Sequence, residues 1–289
     1  MNKEVTLRFE NEKGLSFTIH SNGMWRFAKN GLSGFGLANG QLSFIDNVMG
    51  DGGEIKNVRL TRVDRTIKTV YMDRQNNANA RDEFLRFFTF RKTYKIYVSY
   101  MNREFWAEGV LYKLQGSEHL DDTDLMGVQM TFAFANPLWK SIDNFGKDIA
   151  SIFPTHGFPW MCPVDGNVAV GVFNFEQEVT LENDGDVDVY PHVVITANGY
   201  CQNPIFKIND AQIKINDIMQ EGDVIDIDLG ALPPRIEKNG VNFFGHADKN
   251  SEFTKMYLAI GNNTIGFDAD NGSDNISVTV YYNKMYVVV

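Results

Sequence analysis

Apolar and polar residues alternate in short runs along most of the chain. VTLRF and LSFTIH, either side of an ENEKG turn, read as a strand pair between residues 5 and 20. A glycine-rich reach follows, with eight glycines between Gly23 and Gly53. That density disfavours helix and suits a long surface excursion with tight turns. From Ile55 to Tyr71, Val58, Leu60, Val63, Ile67 and Val70 alternate imperfectly with basic and polar groups, which reads as one or two strands with one wet face. Ala80, Phe84, Phe87 and Phe88 recur instead at helical spacing, behind Asn79 as the cap and Asp82 at the third helical position. TYKIYVSY, REFWAEGVLYKL and LMGVQMTFAF resume the strand pattern, the first two joined by a two-residue Met-Asn turn.

Leu138, Ile142, Phe145, Ile149 and Ile152 then hold an i, i+4, i+7 spacing between Pro137 and Pro154, which reads as a linker with helical periodicity. Beyond Trp160 no helical pattern returns. Runs such as QEVTLEN, VYPHVVITA, PIFKIN, DVIDIDL and NISVTVYY are set between Asn-Asp, Asp-Gly and Asn-Gly turns, the pattern of a sandwich or jelly roll. The expectation is a mainly β chain. Residues 1–140 form an N-terminal β-rich lobe with one helix, 141–160 a linker and 161–289 a C-terminal sandwich.

Charge sharpens this division. The net charge of −10 conceals a split, because residues 1–140 hold 19 Lys+Arg against 16 Asp+Glu, leaving 8 against 21 for residues 141–289. Ten of the eleven arginines lie in the first lobe, so any polyanion contact is expected there. No apolar run reaches the ~18 residues of a membrane span. The charged segment MNKEVTLRFENEKG leaves no room for a secretory apolar stretch, so folding in a cytoplasm is expected. Cys162 and Cys201 are too few for a disulfide framework and read as ordinary thiols.

Candidate chemistry is sparse. An EF-hand beginning at Asp184 would need glycine and glutamate where Val189 and Ile195 stand, so Asp184, Asp186 and Asp188 read as a solvated turn and strand start. The same test fails at Asp268, where Thr279 takes the glutamate position. His20, His119, His156, His192 and His246 never fall at metal-ligand spacing. GFGLANG departs from the dinucleotide fingerprint at Asn39, and no nucleophile elbow or phosphate loop occurs. Asp226 and Asp228 share a strand face and stay open as paired carboxylates. All four tryptophans precede the second lobe, so a sugar-stacking platform there would have to use Tyr or Phe.

The order of features resembles one family. GDGGEIKNVRLTRVDRTIKTVY, the helix RDEFLRFFTF, the strand pair and FAFANPLWKS are similar to the N-terminal half of siphophage distal tail proteins. LENDGDVDVYPHVVITANG, IKINDIMQEGDVIDIDLG, EKNGVNFFG and YLAIGNNTIGF resemble their C-terminal half in the same succession. The resemblance implies a split-barrel-like N-terminal lobe with one helix and a galectin-like C-terminal sandwich. It implies a virion structural protein at the tail tip of a bacteriophage or prophage, made in the host cytoplasm. There it would form a hexameric ring, a baseplate hub through which DNA passes without specific binding. Implied partners are the major tail protein, a tail-associated protein and a receptor-binding protein for host attachment. No catalytic residue, cofactor or metal is implied. Ring contacts would then come from the glycine-rich reach, with Trp25, Phe27, Phe35, Leu37 and Phe44 as apolar anchors, chiefly within residues 31–47. The His-Asn-Pro-Arg run and Trp-Gly-Glu stretch of sugar-binding galectins are both absent. Two other readings stay open: a carbohydrate-binding module or glycan hydrolase acting on bacterial cell wall, and a calcium-stabilised adhesive sandwich.

Overall fold

The computed structural model describes residues 4–37, 40–46, 51–116, 126–142, 145–148, 150–154, 171–175 and 178–289. It divides into two compact units, Met1–Ile142 with Met285–Val289, and Asp143–Lys284. Strand order and burial in both follow from period-2 patterning, with one face of each main sheet apolar.

In the first unit the strands are β1 (Thr6–Asn11), β2 (Ser16–His20), β3 (Trp25–Ser33), β4 (Gly40–Asp46), β5 (Gly53–Leu60) and β6 (Val63–Tyr71). After helix α1 (Asn77–Phe87) come β7 (Thr93–Tyr100), β8 (Arg103–Gly116), β9 (Met126–Phe134) and β10 (Trp139–Ser141). The main sheet runs β2-β1-β7-β8-β9-β6-β3, with β10 paired to β8 and to the strand Met285–Tyr286. The chain's last residues thus group with the first unit, not with the sandwich. Met101 and Asn102 both take positive φ (50° and 62°), as a two-residue hairpin between β7 and β8 requires.

β8 pairs with β7 from Arg103 to Val110 and with β9 from Val110 to Gly116, past a register shift between Leu111 and Lys113. At Gly109 an added Cβ would lie 2.9 Å from the Phe134 ring, so only glycine lets the sheet fold over that ring. The sheet curls until Phe17 of β2 and Trp25 of β3 meet at 5.7 Å, but those two strands are not hydrogen-bonded neighbours. The barrel is therefore split. α1 fills it, placing Phe84 4.8 Å from Trp25 and Phe88 5.1 Å from Phe9. Of the stripe read from the sequence, Ala80, Phe84 and Phe88 are buried and Phe87 is partly buried against the same core. The helix starts earlier than Asn79, at Asn77, because Asp73 accepts a bond from the Gln75 N–H and turns the chain first. Tyr94 closes the other end, its hydroxyl donating to Phe87 O and accepting from the Thr89 N–H.

The second unit begins with β11 (Phe145–Asp148), β12 (Ala150–Pro154) and β13 (Gly171–Phe175). The segment with helical spacing is therefore β where it is described. β11 pairs with the strand Ile276–Tyr282 and β12 with β13, and these partners override the local periodicity. The remaining strands are β14 (Glu178–Asn183), β15 (His192–Ala197), β16 (Cys201–Ile208), β17 (Ala211–Lys214), β18 (Ile218–Met219), β19 (Val224–Asp228), β20 (Arg235–Lys238), β21 (Val241–Asn242), β22 (Gly261–Asn271) and β23 (Ile276–Tyr282). They form a six-stranded sheet, β11-β23-β15-β19-β20-β21, and a second sheet, β14-β22-β16-β17, with β18 added to β16. Val193, Ile195, Ile225, Ile227, Val278 and Val280 are buried on the first, Phe206, Ile208, Ile213 and Ile265 on the second. These faces make the core of an antiparallel sandwich. Among the described residues no helix is long and apolar enough to cross a membrane. Cys201 is buried and its thiol is pushed up to about 11, which leaves it unreactive; Cys162 lies outside the described residues.

One polar cluster stabilises this unit. The Lys238 ammonium lies 2.6 Å from Asp217 and 3.0 Å from Asp223, and also donates to Ile218 O. Asp223 accepts from the Gln220 N–H, from Asn239 and from Lys238, which together hold its carboxyl at about 2 against an ordinary 3.8. Its contribution is complete above the ordinary value and disappears as pH falls from about 4 towards 2. Lys238→Met is expected to cost roughly 2–4 kcal/mol at pH 7, because it leaves two part-buried carboxylates facing each other. In urea unfolding that cost should shrink below pH 4 as Asp223 protonates. Equal stability of variant and parent at pH 7 would show that the cluster contributes nothing.

Candidate assembly surface

β4 and β5 stand apart from the main sheet. Among the described residues they pair only with each other, from Gly40↔Leu60 to Asp46↔Gly53, with a register shift between Ser43 and Phe44. Every residue of β4 is exposed. Phe44, 59% exposed, lies directly opposite Ile55, itself 56% exposed; Leu42, Ile45 and Leu60 are open as well. A two-stranded hairpin is marginal in water by itself, and one with bulky apolar groups on show gains stability only by being covered.

The root of this arm is built with care. Gly34, at the end of β3, has φ +82° and packs so closely on β6 that a Cβ would sit 2.4 Å from Asp64 O. Arg65 of β6 is almost wholly buried and donates from Nε to Gly34 O (3.2 Å) and from Nη2 to Pro137 O (2.7 Å). Its guanidinium lies 3.9 Å over the Trp139 ring and 4.1 Å over Phe134, while Phe35 stacks on Trp139 at 5.8 Å. Burial pulls the Arg65 pKa down to about 9, so it stays charged at neutral pH. Carbonyls and aromatic faces, rather than a carboxylate, hold that charge.

The five aromatic and aliphatic anchors expected from the sequence separate into two groups. Trp25 is buried against Phe84 and Tyr71, and Phe27 and Phe35 are half-buried against the same unit's core. Leu37 is 72% exposed and Phe44 is on the arm. Leu42, Ile45, Ile55 and Leu60 complete the open apolar set and were not among the expected anchors. Their signal was faint: in GQLSFID and GEIKNVRL, apolar residues fall on both parities, so alternation does not assign one face to a core.

The acidic stretches are occupied with the chain's own needs. Asp184 pairs with Lys284, and Asp188 accepts from the Ile260 N–H. Buried Asn183 shapes the turn between them, accepting from the Gly185 N–H and donating to Val187 O and Leu258 O. Asp226 lies 2.7 Å from His192 Nε2. Burial pushes Asp228 up, but the Arg235 guanidinium and the Ala231 and Gly230 N–H groups outweigh it and hold its carboxyl below the usual range. Asp228 is thus ionised at neutral pH and has no proton to give as a general acid. Among the described residues, no group of three or more His, Cys, Asp or Glu is placed to hold a metal.

No curated protein matches the chain by sequence. Residues 184–286 match the model of the siphovirus-type tail component, C-terminal domain. Among solved structures, the Dit protein of phage SPP1, described as a paradigm of the hub adsorption apparatus in phages infecting Gram-positive bacteria, aligns with a TM-score of 0.64 at 12% identity, covering 96% of this chain and 98% of its own. The phage P2 baseplate in its activated conformation with Ca aligns with a TM-score of 0.51, again at 12% identity, over 97% of this chain and 98% of that one. Residues 184–286 are thus similar to the C-terminal domain of siphovirus-type tail components, and the chain as a whole shares the fold of SPP1 Dit.

Proposed function

We propose that this chain is the distal tail hub of a siphophage or prophage, a structural subunit without enzymatic activity. Copies close into a ring of six at the end of the tail tube, DNA passes through the opening without specific binding, and the ring carries the components that attach to the host. The observation that carries this reading is the fold likeness to SPP1 Dit over nearly the full length of both chains, joined to the family match in residues 184–286. The arm supports it physically. An apolar hairpin left open by the described residues fits a subunit whose finished state is an assembly, and a head-to-tail contact repeated by rotation closes a ring. For that ring the major tail protein, a tail-associated protein and a receptor-binding protein are the partners, and the tail tip is the location.

Light scattering on the purified protein, with negative-stain images of the same fractions, tests the reading. The expected result is a mass near six subunits and a ring with a central hole. A monomer at every concentration would overturn self-assembly through this chain alone.

A further inference from the structure

The outward face of the six-stranded sheet holds two adjoining hollows of opposite character. Asp226 of β19 stands directly opposite Glu237 of β20 in the register. Like charges so placed weaken a sheet, so stability alone would select against the pair. His192 lies against Asp226, and Arg235 is committed to Asp228 at 2.9 Å. The Glu237 carboxylate makes no hydrogen bond or ion pair among the described residues, although its charge, like that of Asp226, acts on Arg235 from a distance. His192, Asp226, Asp228, Arg235 and Glu237 surround a hollow of about 170 Å³. Arg235 and Glu237 also wall the next hollow, about 310 Å³, whose other sides are Pro233, Pro234, Ile236, Asn242 and Phe244. Leu232 and Val241 stand open to solvent nearby, 97% and 67% exposed.

We propose that this pair of hollows docks a basic segment of a partner protein. A Lys or Arg side chain sits between Asp226 and Glu237, and a bulky apolar side chain packs against Pro233, Pro234 and Phe244. Hollows that share two wall residues suit neighbouring side chains on one face of an extended segment, which lie about 6–7 Å apart at positions i and i+2. The cation relieves the Asp226–Glu237 repulsion. The apolar side chain covers a surface that the chain itself leaves wet. Residues 141–289 carry 21 acidic against 8 basic side chains, so the field around the site draws a basic segment in and turns acidic ones away. Positioning is rigid, because Asp228 is fixed by Arg235 and by the Gly230 and Ala231 N–H groups beside the Pro233–Pro234 turn.

The test uses the full chain on an array of short peptides that pair Arg with Leu or Phe at separations of one to four. Matched peptides carry Glu for Arg, or Ser for the apolar residue. Binding is expected only where both groups are present, strongest at separation two and weakening as salt rises from about 50 to 300 mM. Asp226→Asn with Glu237→Gln, and separately Leu232→Ser with Phe244→Ser, should each weaken it by about tenfold or more. The acid-to-amide variant should melt close to the parent, since it removes the Asp226–Glu237 repulsion together with the charge that faces His192, while the asparagine oxygen can still accept from that ring. Binding that ignores peptide charge, survives the acid-to-amide variant, or is absent throughout would overturn the proposal. So would cell-wall polysaccharide binding that this variant abolishes, which would make the face a sugar site. Peptide binding is read whatever the mass of the particle, so it stands or falls apart from ring formation.

Discussion

Replacing Phe44 and Ile55 by aspartate is expected to reduce the assembled particle to monomers while leaving the thermal unfolding of both units where it was. Both side chains are more than half exposed in the single chain, directly opposite one another on an arm whose strands pair with no other strand among the described residues. Their loss therefore removes little from the fold. In an assembled state the sign reverses. Each of these side chains contributes roughly 1.5–3 kcal/mol when fully covered, and a carboxylate forced into the same dry contact costs more again. Losing on the order of 4–6 kcal/mol per contact weakens it by about 10³–10⁴-fold, enough to empty a closed ring at micromolar concentration. Light scattering of parent and variant at equal concentration makes the comparison. An unchanged mass would mean that the arm is not the contact. A fall in melting temperature alongside the lost mass would mean that the arm supports its own unit.

Parts of this arrangement were legible before any coordinates. The stripe of Ala80, Phe84 and Phe88 shows because helical spacing is unusual in a chain of alternating runs, and the Met101–Asn102 turn shows because two residues between strands leave few conformations. The arm was harder to read. β5 and β6 continue one another almost without a break, and nothing local says that the first leaves the sheet while the second joins it between β9 and β3. Trp25 and Phe44 look alike as aromatics in a glycine-rich reach. Phe17, Tyr71 and Phe84 of α1, the last some sixty residues further along, together decide that Trp25 is core. The segment after Pro137 misled through its periodicity, since strands β11 and β12 exist by virtue of partners far along the chain. Arg65 was least visible. A basic residue in an alternating strand reads as solvent-facing, and it takes Phe134 and Trp139, distant in sequence, to reverse that.

That reversal makes Arg65 the residue whose loss should cost the first unit most. Arg65→Ala is expected to lower its stability by about 3–5 kcal/mol. The change opens a cavity beneath Trp139, strands the Gly34 and Pro137 carbonyls, and removes two cation–ring contacts at once. For a unit of this size that corresponds to roughly 6–20 °C in melting temperature. Arg65→Lys is not a mild substitution here. A single ammonium cannot span both carbonyls while lying flat on two rings, so a loss of roughly 2–3 kcal/mol is expected. Arg65→Met keeps the volume and removes the buried charge, and should fall between the parent and alanine. The arm gives a second readout, because Gly34 and Phe35 at its root are held by Arg65 and by Trp139 beneath it. A loosened root lets the hairpin sample many directions, so assembly should fall in Arg65→Met even at temperatures where the unit is fully folded. If the three variants melted with the parent, the guanidinium would be a passenger in the core. If they lost stability but assembled normally, the arm would take its orientation from the neighbouring subunit instead of from its own root.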